Sequence, residues 1–408
     1  VRSPIIVHLA RKEILSTLRD RRAIFSNLII PLVMLPAIMT GLPLAVGGLF
    51  EREQETVTEL GIVGLANLPE ELRAIISAQN VTLVEVADPE MVVREGDYPA
   101  ALAVPGDFVT HLASGRPATI RVYSKQGNLA SELNASKIMA AVQVYRQQLV
   151  ATTLTEAGLD LTVLEPILVD TVDASSSAEL ASGQLAWLIP FFIALWTLIG
   201  GQMAAIDATA GEKERGTLEA LLVAPVRRSE IVVGKFLATL TFGLTAATMA
   251  IAGYVLGGVL IRSLFLPRLG EQAGEIVDVL GGSLSIDLGT VLLLLVSALL
   301  LTSLIAALLI GVTLFARSFK EAQSYVAPLS FLLIIPAIGL QFKDLLDLGS
   351  GVYAVPVFNA LVLMDDIVKG AVTFGSVLVT WLSLAAATTA LLLFAYGNFR
   401  REGVIFRT

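Results

Sequence analysis

Val291–Phe315 reads VLLLLVSALLLTSLIAALLIGVTLF, a run of about 25 residues without one charge, and a membrane-crossing helix needs roughly 17–25 predominantly apolar residues. The rest of the chain has the same character. Of its 408 residues 55% are hydrophobic and 16% charged, whereas soluble domains carry about 25% charged residues. Mean hydropathy is +0.77. A soluble globular protein is excluded.

Working outward, five more stretches have the length and composition of spans: Ala23–Gly47, Gln184–Ile206, Phe236–Ile261, Tyr325–Phe342 and Thr373–Tyr396. With Leu288–Phe315 they make six. The expected fold is an α-helical membrane protein with six transmembrane helices and a large mixed α/β extracytoplasmic domain between helices 1 and 2. A re-entrant segment precedes helix 6. Residues 1–22 form a cytoplasmic interfacial helix, 23–47 helix 1 and 48–183 the external domain. Residues 184–397 hold helices 2–6 with a cytoplasmic segment at 207–235, and 398–408 form a cytoplasmic tail.

Lys and Arg set the orientation, because cytoplasmic loops carry an excess of them. With both termini inside, the short cytoplasmic segments hold 16 of the 28 Lys+Arg. The acidic groups divide the other way, so the net charge of −8 says little about partners. Arg21 and Arg22 precede an apolar stretch too long for a signal-peptide core, so the first span is expected to stay as an anchor in the plasma membrane. The chain has no cysteine, and its redox compartment cannot be read from disulfides.

Residues 4–22 have the pattern of a surface helix, with Val7, Ala10, Ile14 and Leu18 on one face and Arg11, Arg19 and Arg22 on others. A plain basic flank is the simpler reading. In 48–183, ELGIVGL, VTLVEV, YPAALAVP and ATIRVYS alternate as strands. PEELRAIISAQN is a helix opened by Pro69 and two acids, and SELNASKIMAAVQVYRQQLVATTLTEAG is a long helix stopped by Gly158. Loop 262–287 reads as a lid or, more simply, as an external connector. In Gly351–Gly370 the apolar part is too short to cross a bilayer, which suggests a short helical hairpin that dips back. Gly243/Ala247, Ala246/Ala250 and Gly253/Gly257 have the spacing that lets membrane helices approach closely, or are chance in an Ala/Gly-rich span.

No phosphate-binding loop, dinucleotide fingerprint or HExxH motif occurs, and His8 and His111 are the only histidines. No catalytic residue, metal site or resident cofactor is therefore expected, nor any nucleic-acid partner.

Between Asp207 and Lys235 the chain reads DATAGEKERGTLEALLVAPVRRSEIVVGK. Glu212, Lys213, Glu214 and Arg215 make a mixed-charge cluster, followed by Gly216 and Thr217. Leu218, Leu221 and Leu222 then recur at helical spacing. Pro225 stops the element, and Ser229 is placed to cap the next helix. The residues leave two readings: an amphipathic helix, charges outward and leucines inward, docking on a soluble partner, or a solvated loop.

GEKERGTLEALLVAPVRRSEIVVGK resembles the signature segment of ABC-2 type ABC transporter permeases, with the NatB-like sodium-efflux branch the nearest likeness. ARKEILSTLRDRRAIF, ARSFKEAQSYVAPLSFLLIIPA and YAVPVFNALVLMDDIVKG resemble the same family, so the likeness covers nearly the whole chain. It implies that Glu212–Glu219 (Glu212, Lys213, Glu214, Arg215, Gly216, Thr217, Leu218, Glu219) form a coupling helix on a cytosolic ABC ATPase. It also implies two copies of that ATPase, which hold ATP and Mg, and a second permease chain, as a homodimer partner or a similar chain, within the membrane lipid.

Cargo is less legible. The deep interiors of the spans hold no ionisable residue, and Gln202, Asn359 and Gln341 are the nearest polar ones. Asp365 and Asp366 lie at an edge, as an ion pathway or as hydrated end-caps. Gln202 and Asn359 line the cargo pathway or make interhelical hydrogen bonds. An ATP-driven exporter of sodium ions, or of a peptide, lipid or drug, is the leading expectation. A membrane signalling protein that relays an external ligand state to a cytosolic partner, and a secondary transporter, are the alternatives.

Overall fold

The computed structural model describes residues 3–19, 21–41, 56–158, 186–265, 288–343 and 349–399. The chain divides into two compact units, one of residues 1–43 with 174–408 and one of residues 44–173. The loop at 262–287 lies largely outside the described residues, as does the tail at 400–408.

The chain opens with helix α1 (Ser3–Leu18). Its buried residues are Ile6, Ala10 and Glu13, while Val7 and Leu18 are 60% and 44% exposed. The inward face is thus turned from the expected Val7–Ala10–Ile14–Leu18 stripe. The reason is a carboxylate: Glu13 has a buried cationic partner, Lys235. Helix α2 (Phe25–Gly41) follows, apolar and shorter than the other candidate spans.

The second unit is a four-stranded sheet of order β2-β1-β3-β4. Strands β1 (Thr58–Val63), β2 (Val81–Glu85), β3 (Ala100–Ala103) and β4 (Arg121–Ser124) lie where the period-2 pattern places them. β1 pairs in parallel with β2 and β3, and β4 closes the edge antiparallel to β3. Four helices complete the unit: α3 (Glu70–Ser77), α4 (Pro89–Glu95), α5 (Phe108–Ala113) and α6 (Leu129–Glu156). The one- to two-turn α4 and α5 are absent from the sequence reading, because so few residues show no period. Asp88 nonetheless caps α4, accepting the N–H groups of Glu90 and Met91. Leu60, Ile62, Leu72, Ile76, Leu102 and Ile138 form a core with no exposed surface.

The first unit resumes as a helical bundle. Among the described residues five helices are long and apolar enough to cross a membrane: Leu188–Glu214, Arg228–Leu260, Leu288–Thr313, Phe319–Leu340 and Phe374–Phe399. We name them α7, α9, α10, α11–α12 and α14. The fourth is broken at Ala327-Pro328 into α11 (Phe319–Val326) and α12 (Leu329–Leu340). Between α7 and α9 lies α8 (Thr217–Val223), and before α14 lies α13 (Phe358–Val368). In place of a hairpin, Gly351–Gly370 forms a 3-10 turn (Ser350–Ala354) leading into α13.

Helix α9 is the hub, and its small residues serve two faces. A Cβ at Gly243 would lie 3.0 Å from the Thr197 carbonyl oxygen, and one at Gly200 2.6 Å from Ala246 Cβ. The α7–α9 backbones therefore meet where only glycine fits. At Gly253 a Cβ would lie 2.6 Å from the Leu32 oxygen of α2, so the Gly253/Gly257 pair packs on a different neighbour.

Helix α9 starts at Arg228, two turns before the apolar run, and Ser229 is not its cap. The Glu230 carboxylate accepts the Arg227 N–H at 3.0 Å. The early start carries Lys235 into the packed bundle, where it is 2% exposed.

Candidate functional site

The segment that joins α7 to α9 is built on three backbone features. The last turns of α7 widen into a π-helical turn at Asp207–Gly211. Within it Gly211 leaves space for Arg215 to reach Asp207 at 2.8 Å, since a Cβ there would sit 3.0 Å from Asp207 Oδ1. Gly216 then takes φ +69, a left-handed conformation that costs glycine nothing, and the chain turns into α8. Ala224 is extended and ends the helix, with Pro225 following.

Helix α8 is amphipathic in the expected sense only in part. Leu218 is 3% exposed and Leu221 packs beside it on the bundle core. At the far end Val223 is 88% exposed. Glu219 lies within this helix.

The charges face outward only in part: Glu214 and Arg215 are exposed, whereas Lys213 is half-buried and Glu212 turns inward. Glu212 is 3% exposed and lies between two ammonium groups, Lys12 on its Oε1 and Lys235 on its Oε2. Lys235 also reaches the Ala208 carbonyl oxygen and stands 3.5 Å from Glu13 Oε1, which Lys12 meets at 3.1 Å. Lys213 Nζ donates to the carbonyl oxygens of Leu314 (2.7 Å) and Ala316 (3.2 Å), just past the C-terminus of α10. Glu214 Oε2 accepts the Phe319 N–H at 2.8 Å, the first residue of α11. A cation at a helix C-terminus and an anion at an N-terminus both complement the helix dipole. Thr217 Oγ1 donates to the Glu212 carbonyl oxygen at 3.3 Å.

Burial disfavours the charged form of Lys12, but the Glu212 and Glu13 carboxylates outweigh it and hold the ammonium above its ordinary range. The hydrogen bond to Asp207 likewise raises Arg215. A cleft of about 780 Å³ opens between α1, α7 and α8, bordered by Lys12, Ser16, Met203, Arg215, Leu221 and Phe319.

Sequence reasoning missed Lys12, Glu13 and Lys235. One signal was available: Glu13 sits three residues after Ala10 on a face otherwise apolar, which calls for a buried cation.

The second set of expected residues lies around α13. Asp365 and Asp366 are 0% and 2% exposed, which corrects the reading of hydrated end-caps. Lys369 Nζ lies 2.9 Å from Asp365 Oδ2, and Lys343 bridges Asp365 at 3.7 Å and Asp366. Tyr353 Oη donates to Asp366 Oδ2 at 2.5 Å. Carboxylates enter the interior because these ammonium groups pair with them. Burial raises the Asp365 carboxyl despite the opposing pull of Lys369 and Lys343. Burial and then the Asp366 bond push Tyr353 upward. Asn359 Nδ2 donates to the Tyr353 carbonyl oxygen at 3.0 Å, while its Oδ1 is buried without a partner. Gln202 is half-buried on α7. Among the described residues no group of three or more His, Cys, Asp or Glu is placed to hold a metal ion.

A bundle with five helices long and apolar enough to cross a membrane, and a charged segment tied between two of them, has the make-up of a multi-pass membrane protein. The chain belongs to the ABC-2 family of transporter proteins, whose family model matches residues 7–404. It is similar to the ABC transporter permease protein NatB of Bacillus subtilis (strain 168), with 27% identity over 403 residues, 98% of each chain. Membership makes it a membrane component of an ABC transporter in the plasma membrane, with ATPase activity in a separate partner subunit.

Proposed function

We propose that this permease receives a cytosolic ABC ATPase on α8 and moves cargo outward. The observation that carries this reading is Val223, an apolar side chain 88% exposed at the tip of a helix whose other end is anchored in the bundle. An apolar tip fits a groove on a partner. The charges of Glu212, Lys213, Glu214 and Arg215 serve instead as the mounting that holds α8 at a defined angle.

In this reading the segment 207–235 and both termini face the cytoplasm, six helices cross the membrane, and 48–183 is extracytoplasmic. Segment 351–370 re-enters from the outer side. Two permease chains pair and engage two ATPases, which bind ATP and Mg. Closure of the ATPase pair biases the permease between two states because each state meets the ATPases differently. Sodium ions are the cargo that the resemblance points to, with a peptide, lipid or drug as the alternative. The buried carboxylates Asp365 and Asp366 favour neither, since each already faces an ammonium group of the chain.

The test is affinity purification of the intact chain from its own cells in nanodiscs, with mass spectrometry for a protein bearing a GxxxxGK[ST] loop. Val223→Glu is expected to remove that protein while leaving the permease folded. Undiminished recovery would overturn docking through α8.

A further inference from the structure

We propose that Lys235 is the positioning residue that makes the docking segment, helix α9 and helix α1 move as one body. A lysine two turns into α9, just before the apolar run and packed inside the bundle, is costly to bury unless it is paired. Lys235 is 2% exposed. Its single ammonium group touches the Ala208 carbonyl oxygen in the π-helical turn, Glu212 just beyond that turn, and Glu13 on α1. The Glu212 N–H bonds the Thr209 oxygen, and Lys235 serves the carbonyl one residue earlier. Side chain and widened turn are thus fitted to each other.

Charge balance singles out Lys235 rather than Lys12. The cluster holds two carboxylates, Glu13 and Glu212, and two ammonium groups. The Lys12 side chain is 53% exposed, so water can replace its contacts. Lys235 and both carboxylates are 7% exposed or less, and without Lys235 the two buried anions would be left with cations that are themselves solvated, Lys12 and the Arg215 guanidinium that is paired with Asp207. Beside this cluster, α1 meets α9 through apolar packing such as Leu9 seated at Gly234, which favours one register. The ionic tie fixes the register. A push at α8 then reaches α9 through Glu212–Lys235 and α1 through Lys235–Glu13. Only the source of that push rests on the ATPase-docking reading.

The chain has no cysteine, so two introduced cysteines are unique labelling sites. Spin labels at Arg11→Cys and Val223→Cys, measured by pulsed EPR on the permease alone in nanodiscs with the labelled chain diluted into excess unlabelled chain, are expected to give one narrow distance distribution. Lys235→Met with Glu212→Gln, a charge-balanced pair that leaves Lys12 and Glu13 together, is expected to broaden or split it. Lys12→Met with Glu13→Gln, which leaves Glu212–Lys235 intact, is expected to do the same, and Lys235→Arg to keep it narrow. A narrow, unshifted distribution in both double variants would overturn the proposal.

A second arm uses the complex with the unlabelled chain. The Lys235/Glu212 double variant is expected to lose about five-fold or more of the permease-dependent stimulation of ATP hydrolysis per bound ATPase, in the range of ordinary coupling energies. Unchanged stimulation per bound ATPase would count against the proposal. If the wild-type chain recruits no ATPase, the docking reading fails, and the distance measurement still decides this one.

Discussion

Lys213 and Glu214 are neighbours in sequence and grip opposite ends of one turn: Lys213 holds the carbonyl oxygens of Leu314 and Ala316, and Glu214 holds the N–H of Phe319. The chain between α10 and α11 is thereby fastened to the end of α7. Exchanging the two, Lys213→Glu with Glu214→Lys, sets an anion against carbonyls and a cation against an N–H. Each contact is worth about 0.3–1 kcal/mol at exposed sites and up to about 2 kcal/mol when partly buried. The swap is expected to lower the thermal unfolding midpoint, whereas Lys213→Arg leaves it nearly unchanged. Equal midpoints for the swap and the wild type would show that the contacts carry no stability.

The α7–α9 crossing is predicted to reject a methyl group. At Gly200 a Cβ would lie 2.6 Å from Ala246 Cβ and 2.9 Å from the Phe242 carbonyl oxygen, and overpacking of this kind costs about 1–3 kcal/mol. Gly200→Ala is expected to lower the unfolding midpoint in detergent. Gly397→Ala, which meets nothing within 4 Å, is the matched control and should show no loss. The crossing is looser than described if the two variants behave alike.

Asp365 predicts a pH dependence with a definite sign. Its carboxyl is raised above the ordinary 3.8 by burial, so the folded state holds the proton more tightly than the unfolded chain does. Its contribution to stability is fully present below about 3.8 and is lost as pH rises through the raised folded value. Asp365→Asn removes that titration. The midpoint difference, wild type minus variant, should therefore fall with rising pH above 3.8. A difference that grows with pH would mean that Lys369 and Lys343 dominate the site instead.

The second unit has its own core and should fold apart from the bundle. A fragment of residues 56–158 is expected to be soluble and to unfold cooperatively. Ile62 has no exposed surface, and Ile62→Ala should cost about 2–5 kcal/mol in denaturant unfolding. A non-cooperative transition would show that the sheet needs the bundle.

Elements were legible wherever a period was long or strict. The apolar runs at Leu288–Thr313 and Phe374–Phe399, the four alternating strands, and the stop of α6 before Gly158 at φ +70 follow from local composition and backbone preference. What escaped was short or non-local. α4 and α5 are too brief to show a repeat. The inward turn of α1 escaped because Glu13 looks polar in sequence while its partner Lys235 lies more than two hundred positions away. Asp365 and Asp366 looked like the wet end of a helix because Lys343 comes from the turn after α12, more than twenty positions earlier.

Sequence alone determined that this chain lives in a bilayer, where its long apolar helices lie, and which segment carries the ABC-2 signature. Hydrophobicity and helical period are properties of neighbours along the chain. Only the tertiary structure decided what the signature charges do. A buried ion is tolerable only beside its counter-ion, and that proximity is created by packing. Glu212 therefore turns inward to Lys235 and Lys12, Lys213 and Glu214 turn to the ends of α10 and α11, and Val223 is left as the exposed tip.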